Sequence, residues 1–189
     1  QAWAEQDADA AVKWAQQLPP GRLRNQVLGG AINSLAAKDP AAAFELMKSS
    51  GIKNQPWGGI FSRWADKDPA TAAAKAAESL TGQQRSQAFQ SIASTWASKD
   101  PQAAIAWANT LPGSNDKRNA ISSIVSQWAG NDPSGAAIWV QQLPEGQAKQ
   151  QAMSSLGSQW AQSDPQAAMA YAQNLPAGNA KNNMLGNII

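Results

Sequence analysis

The sequence predicts an all-α fold, an α-solenoid of six two-helix repeats, on three observations. Aspartate recurs at a nearly constant interval, large apolar residues keep fixed distances from it at helical spacing, and proline follows it in five of six copies. Asp7 to Asp39 is 32 residues, Asp39 to Asp68 is 29, and the steps to Asp100, Asp132 and Asp164 are 32 each. A period between about 20 and 50 residues marks a solenoid, a propeller or another array. The whole chain, 1–189, reads as one such array, with units pivoting on these six aspartates.

The phase of the apolar residues selects helices. Four positions before each Asp stand Trp3, Leu35, Trp64, Trp96, Trp128 and Trp160, each followed by Ala. Eight before stand Ala31, Ile60, Ile92, Ile124 and Leu156, and eleven before stand Leu28, Trp57, Phe89, Ile121 and Met153. Intervals of three, four and seven draw one stripe on a helix. This first helix of the unit, helix A, is expected to run about fourteen residues, roughly four turns, and to stop near the Asp.

Asp-Pro then starts a second helix, helix B. The carboxylate accepts from amides of the first turn, which have no partner inside the helix, and Pro fits the first helical position because its missing N–H is not needed there. Ala stands four after Asp in all six units (Ala11, Ala43, Ala72, Ala104, Ala136, Ala168). Seven after come Trp14, Leu46, Lys75, Trp107, Trp139 and Tyr171. Small residues permit close approach, and bulky ones fill the gap beside it. Leu-Pro with a following Gly ends helix B at Leu18, Leu111, Leu143 and Leu175. The 29-residue step means that three residues are missing from the second helix B or its exit.

These features resemble the tetratricopeptide and Sel1-like class of two-helix repeats. The resemblance covers the whole chain and is carried by the helix-A Trp, the Asp-led turn, the Ala four later and the bulky residue seven later. The period here is 32 instead of 34, the Leu-Gly pair of the tetratricopeptide pattern is absent, and Pro lies inside the unit. The resemblance implies a binding scaffold in which helix A lines a concave face.

Composition narrows function by exclusion. Fifteen Lys and Arg against thirteen Asp and Glu leave a formal charge of +2, which is no polycation, so no nucleic-acid partner is expected. With no Cys and no His, disulfides, thiolate or imidazole metal sites and Ser-His or Cys-His nucleophile pairs are excluded. No apolar run reaches the roughly 18 residues of a membrane span. The low charged fraction of 15% and the abundance of Gln, Asn and Ser suit an extracellular or cell-surface protein.

The nine Trp are expected in the core, where burying 150 to 250 Å² each contributes roughly 4 to 6 kcal/mol before entropy. Trp14, in the first unit, lies open if nothing covers that end. A second regularity is polar. Fifteen before each Asp, or its projected place, stands a cation (Arg24, Lys53, Arg85, Lys117, Lys149, Lys181). Two residues later stands an amide (Gln26, Gln55, Gln87, Asn119, Gln151, Asn183). Stacked units would set these in two parallel rows. Such rows are either a rail for an anionic ligand or a structural device, each cation paired with a carboxylate or laid on a Trp, and each amide bonded across a turn. A cation near a helix N-terminus is electrostatically unfavourable, so something must compensate it.

No carboxylates recur in register as an acid/base pair, so neither enzymatic activity nor a cofactor is expected. Gly29-Gly30 and Gly58-Gly59 lie inside helix A and are expected to be points of close helix contact, not a phosphate loop.

One further period places the next Asp at 196, so Ile189 stands at phase −7, while the chain opens at phase −6. Joined after Ile189, the opening residues would complete a helix A with Leu185, Ile188 and Trp3 at −11, −8 and −4. The expectation is a non-enzymatic structural or interaction protein. Copies would dock head to tail through Trp3, Leu185, Ile188 and Ile189 into a filament, or a ring if the rotation closes, or the chain would be one superperiod of a longer array. The alternative is a monomeric scaffold that binds a peptide, protein or other polymer in its concave groove.

Overall fold

The computed structural model describes residues 8–51, 57–176 and 178–186. Twelve helices and no strand are present among them. They are α1 (Ala8–Gln17), α2 (Arg22–Lys38), α3 (Pro40–Ser49), α4 (Trp57–Lys67), α5 (Pro69–Ser79) and α6 (Gly82–Ala97). The second half adds α7 (Pro101–Thr110), α8 (Ser114–Asn131), α9 (Pro133–Gln142), α10 (Gln147–Ser163), α11 (Pro165–Asn174) and α12 (Asn179–Gly186). The chain forms two compact units, residues 1–92 and 93–189, whose boundary falls within α6.

Each Asp-Pro pair is a hinge between two helices, and one residue terminates both. The backbone N–H of Asp39, Asp68, Asp100, Asp132 and Asp164 donates to the carbonyl four residues back at 2.6 to 2.9 Å, closing helix A. The same residue's Oδ1 accepts from the amide three residues on, at 2.9 to 3.0 Å, and opens helix B. Its own φ and ψ, near −136 to −150° and 82 to 89°, turn the chain between the two axes. Asp7 lies outside the described residues. Helix B stops at Leu80, Leu111, Leu143 and Leu175, each in an extended conformation, which Pro112, Pro144 and Pro176 impose on the last three.

Helix A is longer than the expected fourteen residues. It spans 17, 16, 18 and 17 residues in α2, α6, α8 and α10. The reason is its start. The chain re-enters the helix directly after the loop glycine, so the cation and amide positions lie inside the helix and not in the loop. At Gly146 this entry uses φ +150°, a conformation that L side chains avoid. The 29-residue unit keeps a ten-residue helix B (α3), so its deletion falls after Ser49.

Within each unit the A helices form one layer and the B helices another. In the second unit α8 packs on α10, and α10 on α12; in the first, α2 packs on α4. Helices α3, α9 and α11 each lie against their own A helix and the next one. Within each unit, no B helix packs directly on another among the described residues. Long side chains cross that wider gap, with Lys75 Nζ 3.2 Å from Glu45 Oε1 and Gln141 Nε2 donating to Tyr171 Oη at 2.7 Å.

Alanine does more of the packing than the tryptophan pattern predicts. Ala43, Ala72, Ala104, Ala136 and Ala168, four after each Asp, are fully buried, as are Ala76, Ala108 and Ala172 one helical turn later. Of the tryptophans, Trp57, Trp64 and Trp160 are buried, while Trp96, Trp107, Trp128 and Trp139 are half-buried. They lie along the flanks of an Ala-Ile-Val centre, where Trp96 stacks on Trp107 at 5.7 Å and Trp160 meets Tyr171 at 5.0 Å. Trp14 is 40% exposed. In the first unit Phe44 takes the central place, with ring centroids 5.3 Å from Trp57 and 5.6 Å from Phe61.

Candidate ligand-binding groove

Helix A has a second stripe, two residues out of phase with its buried one. At ten, nine, six and five residues before Asp stand Ser, Gly, Thr, Asn and Gln almost without interruption from Ser91 onward. In the second unit this stripe lines a groove of about 420 Å³ across three A helices. The last turns of α6 contribute Ser94, α8 contributes Ser122, Ser126 and Gln127, and α10 contributes Ser155 and Gln159. No charged or aromatic side chain lines it.

The groove is held by short side chains that bridge neighbouring helices. Ser122 Oγ and Ser155 Oγ are 2.7 Å apart, and Ser94 Oγ donates to Gln127 Oε1 at 3.3 Å. Opposite Gln159 the chain has Gly130, where a Cβ would lie 3.5 Å from Gln159 Nε2, at ordinary van der Waals contact. Chemically the surface offers hydroxyls and carboxamides, each able both to donate and to accept. Among the described residues no three His, Cys, Asp or Glu gather into a metal-binding group. Sequence reasoning singled out only the glycine pairs at this phase, as points of close helix contact. Gly58 is such a contact, since a Cβ there would meet Ser91 Oγ at 2.7 Å, whereas Gly29 and Gly59 face open space.

The cation row has a different environment. Lys149 Nζ donates to the carbonyl of Gln141 at 3.1 Å and to Glu145 Oε1 at 2.7 Å. Lys181 Nζ donates to the carbonyls of Gln173 at 2.8 Å and Leu175 at 3.4 Å. Each therefore reaches back to the C-terminal end of the preceding helix B, whose negative dipole compensates the unfavourable place at the start of helix A. Arg85 lies over the Phe89 ring at 5.9 Å, Arg24 is half-buried, and Lys117 is half-buried in α8. Of the amides, Gln26, Gln87 and Gln151 are exposed, while Asn119 and Asn183 are half-buried. Lys53 and Gln55 lie outside the described residues. Of the junction residues, Trp3, Ile188 and Ile189 also lie outside them, and Leu185 is half-buried against the core of the second unit.

Two titrating groups are displaced. The Thr71 hydroxyl and backbone amide donate to Asp68 and hold its carboxyl below the usual 3.8. Burial raises the Tyr171 phenol above 10.0, against the hydrogen bond from Gln141 and the nearby Lys149 charge. Neither borders the groove. Among the described residues no helix is long and apolar enough to cross a membrane.

No family model, no curated protein and no solved structure matches this chain.

Proposed function

We propose that the protein is a non-enzymatic scaffold of the tetratricopeptide-like solenoid kind, whose A-helix layer binds an extended, uncharged polypeptide. The observation that carries this reading is the groove itself, built from hydroxyls and carboxamides on three successive helices and free of charge. An extended backbone has unpaired N–H and C=O groups in both directions, and Ser and Gln can serve either.

The period of the helices favours one backbone conformation. Packed helices lie about 8 to 10 Å apart. One three-residue turn of polyproline II advances about 9.3 Å, so a ligand in that form meets each helix with an equivalent residue. Two residues of a β-strand advance only about 6.8 Å and fall out of step.

The test is calorimetric titration with an uncharged peptide of Pro-Pro-Ser repeats. Binding is expected to be nearly independent of salt, and Ser126→Leu with Gln127→Leu is expected to weaken it at least tenfold without loss of helicity. Binding that collapses as salt rises, or that survives both substitutions, overturns the reading.

A second reading, stacking of one chain on another along the array, is favoured by α12. It packs on α10 and α11 as a further helix A and leaves the junction residue Leu185 only half-buried. Sedimentation velocity tests it, since mass should rise with concentration and Leu185→Asp, at the half-buried junction residue, should abolish the rise.

A further inference from the structure

A second cavity, of about 530 Å³, opens where α9 passes the chain to α10 and α11 passes it to α12. Lys149, Glu145, Asn174 and Asn179 supply polar walls, and Met153 and Leu175 supply an apolar one. The two charges differ sharply in exposure, with the Lys149 side chain 14% exposed and that of Glu145 85%. The lysine stem is enclosed and its ammonium is anchored on the Gln141 carbonyl, so it cannot leave. Glu145 sits in the loop, in water, and its pairing is correspondingly weak.

Glu145 is also peculiar to this junction. The residues that follow the other Leu-Pro pairs are Pro20, Gly113 and Ala177. Lys181, at the same phase as Lys149, donates to two backbone carbonyls. An ammonium has three donors, and Lys149 spends one on backbone and one on a displaceable acid. The cavity wall opposite begins α12 at Gly178 and Asn179, where the amides of the first turn also favour an anion.

We infer that this cavity is a carboxylate site, with Lys149 as its counter-ion and Glu145 as a tethered occupant that an incoming acid displaces. The ligand it fits is a monocarboxylate bearing an amide and a short aliphatic group. The amide matches Asn174 and Asn179, and the aliphatic part covers Met153 and Leu175. A free acylated amino acid and the C-terminal residue of a polypeptide share that chemistry. The inference is independent of the serine groove, which uses other residues.

The experiment titrates the whole protein with N-acetyl-leucine, followed by amide chemical shifts. N-acetyl-leucine is expected to bind, and N-acetyl-leucinamide, which lacks the negative charge, at least tenfold more weakly. Glu145→Gln should tighten binding of the acid by about two- to fivefold, the amount an exposed pair is worth. Lys149→Met should abolish it. Because Lys149→Met also removes a helix-end contact, the deciding variant is Glu145→Gln, which keeps that contact. Unchanged or weaker binding in Glu145→Gln, or equal binding of acid and amide, overturns the inference. A tetrapeptide ending in Leu with a free carboxylate that binds tenfold better than N-acetyl-leucine identifies a polypeptide end as the source, and equal binding identifies a small acid.

Discussion

Lys181 Nζ lies 2.8 Å from the carbonyl oxygen of Gln173, eight residues upstream, and Lys149 repeats the relationship with Gln141 at 3.1 Å. One charged group thereby ties the end of one repeat's helix B to the start of the next repeat's helix A. Lys181→Met should therefore lower stability by about 1 kcal/mol, within the range known for a partly buried cation at a helix C-terminus. Because these acceptors are backbone carbonyls held at short range, 0.5 M salt should reduce the difference only slightly. Urea denaturation of both proteins at two salt concentrations measures it. A loss that disappears in salt would mean a diffuse charge effect and not this contact.

The five aspartates at the hinges cap their helices with the same bond, so each should contribute comparably. Asp132→Ala is expected to cost about 1 kcal/mol, with Asp132→Asn costing much less because the amide oxygen still accepts. In a stacked array that loss should appear first as faster amide exchange in α9 and its neighbours, since each repeat leans only on adjacent ones.

Asp68 adds a pH dependence whose sign follows from its partners. Thr71 donates through both hydroxyl and amide to the ionised carboxylate, so the folded pKa lies below the unfolded value near 3.8. The stabilisation is therefore present above pH 3.8 and is lost as pH falls through the lower folded value. Carboxyl carbon chemical shifts should titrate with a midpoint below 3.8 in the wild type, and Thr71→Ala should move the midpoint upward.

Fully buried alanines on the inner side of helix B set the distance between the two layers. Ala136→Leu should destabilise by about 1 to 3 kcal/mol through overpacking, while Phe44→Ala should cost about 3 to 5 kcal/mol by opening a cavity. Ile138→Ser, at a side chain 63% exposed, should stay within about 0.5 kcal/mol of wild type. Thermal and urea unfolding of the three variants rank them.

The helices, their hinges and their order were legible because each rests on local chemistry. Asp132-Pro133 starts a helix wherever it stands, and Leu143-Pro144 ends one. The Lys149 contact was not legible, because the acceptor is a backbone carbonyl and only the turn geometry brings it within reach. The groove was written in the sequence as Ser122, Ser126 and Gln127, yet small polar residues on a helix suit both a solvated face and a packing seam. Only the arrangement of α6, α8 and α10 distinguishes a shared concavity from either. Phase alone places Trp96 and Trp128 in the centre with Trp64 and Trp160, whereas the structure buries only the latter pair and leaves the former half-buried at the flank of the core.

Gly135 brings two effects into opposition at one hinge. It occupies the first turn of α9, where alanine would favour the helix by about 0.5 to 1 kcal/mol. A Cβ there would, however, sit 2.0 Å from Asp132 Oδ2 in the present rotamer, so the carboxylate must turn. Three other hinges carry alanine at the same position, Ala42, Ala103 and Ala167, and each keeps its cap at 2.9 to 3.0 Å. The carboxylate can therefore turn without losing its bond, and Gly135→Ala should stabilise the protein by about 0.5 kcal/mol. Making the substitution in both wild type and Asp132→Ala isolates the steric contribution. Equal gains in the two backgrounds mean that the carboxylate moves freely, whereas a loss confined to the protein that retains Asp132 would show that this hinge is packed more tightly than its three counterparts.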